Sequence, residues 1–263
     1  MRIALVLEYD GSRYCGWQSQ PSACSVQTAI EDALSQIAQE GIRIVAAGRT
    51  DSGVHASYQV VHFDTQTTRP INAWIRGTNA LLPNEIAIQW AAEMPQQFHA
   101  RHNAIERHYR YFLLNQAVRP GIHHRRVGWY HHPLNLTNMQ MASRYLLGEH
   151  DFSSFRAAEC QAKTPIRTIT RIDISRQGNL LIFDLCANAF LQHMVRNIVG
   201  CLVYIGKGKY PATWMRELLA NRSRIHAPPT FSPAGLYLVD IKYDAYWGMP
   251  ASTTLCGIPN LIN

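Results

Sequence analysis

Ala47-Gly48-Arg49-Thr50-Asp51-Ser52-Gly53-Val54-His55-Ala56 is the stretch from which the rest of the chain can be ordered. Residues 42–47 read as a short buried strand. Residues 58–65 read as another, with Val61 and Phe63 alternating against His62 and Asp64. A loop between two apolar strands, bracketed by Gly48 and Gly53, has the backbone freedom to project a side chain. Asp51 is the only carboxylate between Glu40 and Asp64. A lone carboxylate beside Arg49 is not the paired acid and base of a glycosidase. It suits a nucleophile or a fixed anion. It suits equally an Asx turn in which Asp51 bonds to the backbone.

Working outward, strands and helices alternate. Residues 2–9 read as a strand. Ser25 is placed to cap a helix whose apolar face is Val26, Ile30, Ala33, Leu34 and Ile37, with Gln27, Glu31 and Asp32 opposite. Pro70 can open a helix to about Leu82, and residues 85–92 close the first half as a strand. The second half repeats the rhythm. A strand is expected over 106–115, and a helix is expected behind a Thr137/Gln140 capping box. A hairpin turns at Gln177-Gly178, a long helix covers 190–205, another starts at Pro211, and a last strand runs over 235–243. The order points to an α+β protein of two related lobes, with little pattern after residue 247. No low-complexity linker separates the lobes, so they are expected to pack as one body.

The chain has 263 residues, 47% of them hydrophobic and 16% charged, a globular composition. No apolar run is long enough for a membrane span, and the N-terminal run meets Glu8 and Asp10 too soon for a signal peptide. Six scattered cysteines with no CxxC pair read as reduced thiols of a cytoplasmic protein. Net charge is +7, and 21 of the 25 basic residues are Arg, which can fork onto phosphate and stack on bases. Residues 99–133 hold six Arg, seven His and several aromatics against one acid, Glu106, a mixture suited to RNA. Gly200 to Lys207 lacks the spacing and the Ser or Thr of a phosphate loop. The histidine pairs lack the partners of a zinc site, and no dinucleotide fingerprint is present. No cofactor or metal is therefore expected.

The stretch from Gly48 to His55 resembles the active-site signature of the tRNA pseudouridine synthase A family. The likeness extends through Leu7-Glu8-Tyr9-Asp10-Gly11, Gly16-Trp17-Gln18, Gln59-Val60-Val61-His62-Phe63, Phe98-His99-Ala100-Arg101 and Arg107-His108-Tyr109-Arg110-Tyr111. It continues in Asp151-Phe152-Ser153-Ser154-Phe155, Asn188-Ala189-Phe190, His193-Met194-Val195-Arg196-Asn197 and Gly235-Leu236-Tyr237-Leu238. Departures fall at Ser52, where alanine is common, and at His108, where arginine is common.

The resemblance implies two ferredoxin-like lobes, residues 1–103 and 104–247, sharing an antiparallel sheet, with a tail over 248–263. It implies isomerisation of uridine to pseudouridine at positions 38, 39 and 40 of the tRNA anticodon arm, by a homodimer without a cofactor. Asp51 matches the essential aspartate, which could add to uracil C6, attack the sugar C1′ or help remove a ribose proton. Arg196 matches the arginine that pairs with it, which would keep the carboxylate charged. Tyr109 matches the tyrosine that stacks on the uracil, and Leu236 a residue that packs against the base. Arg49 is expected to contact the RNA or help extrude the nucleotide. From the residues alone, helix 190–205 would turn Leu191, Met194, Val195, Ile198 and Leu202 inward and His193, Arg196, Asn197 and Gly200 to the other face. An Asp-dependent RNA glycosylase and a non-catalytic RNA-binding protein are the competing readings.

Overall fold

The computed structural model describes residues 1–20 and 24–252. Its contacts divide the chain into two units, one of Met1–Ile105 with Tyr237–Asn263 and one of Glu106–Leu236. Each combines a mostly antiparallel sheet with helices, so the fold is mixed α+β. Among the described residues no helix is long and apolar enough to cross a membrane.

The first unit is built on β1 (Arg2–Tyr9), whose interior is buried from Ile3 to Leu7. Helix α1 (Val26–Ala38) starts at Ser25, whose side chain accepts from Thr28 N–H as expected, and stops at Gln39 in a left-handed turn. Glu31 is not on a solvated face. It is buried, where it takes the Ile44 N–H at 3.0 Å and pairs with Arg43 at 2.7 Å, fixing the chain as it enters the sheet. The strand expected over 42–47 shortens to β2 (Val45–Ala46), while β3 (His55–Asp64) starts earlier than the alternation indicated.

Strand β3 pairs with both β1 and β2, and its residues are buried on both faces from His55 to Phe63. His62 therefore does not alternate outward. Its Nδ1 accepts Ala100 N–H at 3.1 Å, and burial pushes its pKa down to about 4, helped by nearby Arg2. The helix opening after Pro70 is in part a π-helix (Ala73–Gly77), followed by α2 (Thr78–Leu81). It drives Trp74 edge-on against Phe63. β4 (Ile86–Met94) then pairs with β1.

The second unit centres on β5 (Glu106–Asn115), with the short β6 (Gly128–Tyr130) parallel to it. Helix α3 (Leu136–Ser143) is capped by Asn135 rather than Thr137, and Gln140 bonds to Ile174 O instead of closing a capping box. β7 (Gly148–Asp151), β8 (Ile166–Gln177) and β9 (Leu180–Ala187) complete the order β5-β9-β8-β7. The β8–β9 hairpin turns where expected, through Gly178 at φ +57°.

Helix α4 (Met194–Gly206) starts four residues later than its apolar pattern indicated, because His193 stands at φ +64°. It is buried almost all round. Asn197 is inside, donating to Phe155 O at 2.8 Å, and Gly200 lies under the Pro229 carbonyl, so neither shares an open face with Arg196. Helix α5 (Trp214–Asn221) follows, and β10 (Leu236–Lys242) ends the described strands.

From Tyr237 onward β10 belongs to the first unit, where Tyr237 and Leu238 run parallel to His55 and Ala56. The stretch read as a tail begins with Pro250 O accepting from Tyr58 Oη, and residues 253–263, with Cys256, lie outside the described residues.

Candidate active site

Asp51 occupies the turn between β2 and β3, where Val54 N–H returns to the Asp51 carbonyl at 3.1 Å and Gly53 adopts φ +76°. That backbone conformation is glycine's, which explains the second bracketing glycine. The Asp51 side chain is half-buried, Arg49 is exposed, and Thr50 and Val54 are inside. On the strand side, Gln59 Nε2 donates to Gly48 O at 2.8 Å and Ala47 N–H to Val60 O at 2.9 Å.

A second irregular segment, residues 9–17, clasps the loop. Tyr9 Oη and Thr50 Oγ1 share a buried hydrogen bond of 2.8 Å, and Trp17 N–H donates to Thr50 O at 3.0 Å. Tyr14 O receives Ser52 Oγ at 3.2 Å and Gly53 N–H at 3.4 Å. Gly16, at φ +99°, lies so close that a β-carbon would stand 2.9 Å from Thr50 O and 3.1 Å from Ser52 N. A β-carbon on Gly11 would run into the Val54 carbonyl. Ser52, the residue that departs from the family pattern, thus adds a tie that alanine would lack.

The far end of the loop is held by His55. Its Nδ1 is 3.1 Å from Asp10 Oδ1 and 3.2 Å from Gly11 N. With a proton on Nδ1 the ring donates to Asp10, and without one it accepts from Gly11, so either tautomer ties the ring to the clasp. The His55 hydrogen bond holds the Asp10 carboxyl below the usual carboxylate range, against the opposing effect of burial. Tyr237 stacks on His55 with ring centroids 4.5 Å apart. Sequence reasoning gives Tyr9, Asp10, Tyr14 and His55 no role, although Tyr9, Asp10 and His55 stand within the motifs that carry the family resemblance. The close approach of Gly11 and Gly16 to the loop is what brings the four together.

The second unit holds the remaining expected residues. Tyr109 and Tyr111 lie on one face of β5 and divide their work. Tyr111 is wholly buried, donates its hydroxyl to Ser232 O at 2.9 Å and packs on Gly128 and Gly235. Tyr109 keeps a little exposure and meets Phe190 edge to face at 5.1 Å. On the opposite face His108 and Arg110 each bind Asp184 Oδ1 at 2.8 Å. Burial pushes the Asp184 carboxyl up, but these two hydrogen bonds outweigh it and leave it below the usual range. His108 thus has a defined hydrogen-bond partner where arginine is common in the family.

Arg196 stands in the first turn of α4, partly exposed, with Nε on Phe231 O at 2.9 Å and its carbonyl taking Phe231 N–H at 3.4 Å. Leu236, buried, follows Gly235, where a β-carbon would collide with Phe112 O. Among the described residues no group of three or more His, Cys, Asp or Glu could hold a metal ion.

The model of the tRNA pseudouridine synthase family matches residues 5–103 and 142–244. The chain belongs to the tRNA pseudouridine synthase family. The matched segments include Arg49, Asp51, Arg196 and Leu236, while Tyr109 lies in the span between them. A tRNA pseudouridine synthase A of Nitrosomonas europaea is 59% identical over 250 residues, covering 95% of this chain and 92% of the relative. One of Methylobacillus flagellatus is 56% identical over 252 residues, covering 96% and 97%. Among solved structures, one described as a Cbf5-Nop10-Gar1 complex aligns with 76% of this chain and 45% of the other at a TM-score of 0.36 and 10% identity. That likeness is too low to carry an argument.

Proposed function

We propose that this chain isomerises uridine to pseudouridine at positions 38, 39 and 40 of the tRNA anticodon stem-loop, with Asp51 as the nucleophile. Uracil is detached from the ribose at N1, turned, and rejoined through C5, so no oxidant, nucleotide or metal is consumed. Tyr109 stacks on the uracil, Arg196 pairs with Asp51, Leu236 packs against the base, and Arg49 engages the RNA where the nucleotide leaves its stack. The reading includes two related ferredoxin-like lobes sharing an antiparallel sheet, and a cytoplasmic homodimer. The net charge of +7, carried mostly by arginine, supports a polyanionic substrate.

The observation that carries the proposal is the Asp51 loop. A half-buried carboxylate stands on a backbone tied at Thr50, Ser52, Gly53 and His55 to one neighbouring segment, which is more construction than an Asx turn requires.

The test is tritium release from tRNA labelled at uridine C5. Wild-type protein should release tritium and leave the RNA chain intact. Asp51→Ala should lose at least about a thousandfold of that rate while tRNA affinity stays within about threefold, as for an interaction made in the transition state. Free uracil in the products would indicate a glycosylase instead. Undiminished turnover in Asp51→Ala would remove the nucleophile assignment.

A further inference from the structure

Asp51 is bracketed by ties to residues 9–17, and those at Trp17 N–H and Tyr14 O use backbone carbonyls. The exception next to the carboxylate is the hydroxyl pair of Tyr9 and Thr50, 2.8 Å apart, both groups buried and Thr50 adjacent in sequence to Asp51. A hydrogen bond in such a low-dielectric setting is stronger and more directional than one in water. Tyr9 is itself seated against Trp17, with ring centroids 5.8 Å apart, and β1 pairs Tyr9 with Ala56 beyond the loop. The phenol is therefore anchored on rigid structure at the point where it reaches into the loop.

We propose that Tyr9 and Thr50 are positioning residues for the reaction, fixing the direction from which the Asp51 carboxylate meets the reacting carbon. This rests on Asp51 being the reacting carboxylate. The backbone ties at Thr50 O, Gly53 N and Val54 N remain when either hydroxyl is removed, so the loop keeps its course. What is lost is the side-chain anchor that fixes the Thr50 α-carbon, from which the peptide carrying Asp51 departs. Displacements of about 1 Å at a reacting group cost up to about a hundredfold in rate. Binding of the rest of the RNA does not pass through this bond, so the loss falls on the chemical step.

Tyr9→Phe and Thr50→Val remove the bond from its two ends. The single-turnover rate of pseudouridine formation should fall about ten- to a hundredfold in each, with tRNA affinity within about twofold. The double variant should fall no further than the weaker single, because both lose one shared interaction. Thr50→Ser, which keeps the hydroxyl, should return to within about threefold of wild type, on the same geometric argument. A wild-type rate in Tyr9→Phe, multiplicative losses in the double variant, or a loss confined to affinity would each overturn the proposal. If Tyr9→Phe does not fold, Thr50→Val against Thr50→Ser makes the same comparison. Asp51→Ala separates the two levels. An active Asp51→Ala would remove the underlying assignment, whereas an inactive one beside a fully active Tyr9→Phe would remove only the positioning role.

Discussion

The Asp51 loop and the strand that carries Tyr109 hold their side chains by opposite means. Residues 48–54 have no ladder of their own. Their backbone is set by a second irregular segment, by two close glycine contacts and by a handful of hydrogen bonds. Tyr109 sits in the middle of β5, opposite Leu185 in an unbroken antiparallel register from Arg107 to Leu114. Regular pairing positions a side chain through many equivalent bonds, so losing one side-chain contact moves it little. An irregular loop has few bonds, each with its own task. Substitutions that never touch Asp51 should therefore harm its unit, whereas around Tyr109 only the ring itself should matter.

Gly16→Ala strikes the loop where it has little room. The added methyl meets Thr50 O and Ser52 N in a backbone region that alanine avoids, so turnover should drop about a hundredfold and stability by roughly 2–4 kcal/mol. Tritium release and urea unfolding read the two effects, and a near-wild-type rate would mean the loop is softer than its contacts imply.

In the second unit the paired test is Tyr109→Leu against Tyr111→Phe. The first should lower turnover by about one to two orders of magnitude, from the loss of roughly 1–3 kcal/mol of stacking, with the unfolding midpoint nearly unchanged. The second should cost about 1 kcal/mol of stability through the lost Ser232 bond and leave turnover within about twofold. Reversed outcomes would exchange the roles of the two tyrosines.

Acid titration gives the next contrast. His62 is buried neutral with its pKa lowered to about 4, so the unfolded chain takes up a proton at higher pH than the folded one. Its contribution is complete above about pH 6.5, declines as pH falls toward 4 and amounts to roughly 2–3 kcal/mol. Asp184 is also lowered, but as an acid its contribution persists until pH falls below the ordinary carboxylate value and is lost through its own depressed pKa. His62→Asn, whose carbonyl can still accept from Ala100, should flatten the upper part of the stability curve only. An unchanged curve would show that His62 is not its source.

The smallest effect belongs to Ser52→Ala. One 3.2 Å bond to Tyr14 O from an exposed side chain should be worth about 0.5 kcal/mol or less, with turnover within about twofold.

The order of elements is legible in local pattern alone. β1, α1 with its Ser25 cap, the 106–115 strand and the Gly178 hairpin all follow from local patterns, because periodicity, caps and turns are short-range properties of the chain. The sequence also marks Asp51 as the candidate for chemistry, since a lone aspartate between two glycines needs no fold to stand out.

Which polar residues go inside is settled by contacts between segments far apart in the chain. Glu31, His62 and Asn197 occupy positions that amphipathic periodicity assigns to solvent, and each is buried because a partner distant in sequence satisfies it. The same holds for the clasp on Asp51. Tyr9 and Thr50 are 41 positions apart, and nothing in either local pattern encodes their meeting. Helix α4 begins late for a related reason, its first turn waiting on a left-handed His193. Short-range physics writes the elements, and long-range satisfaction of buried polar groups decides how a site is held.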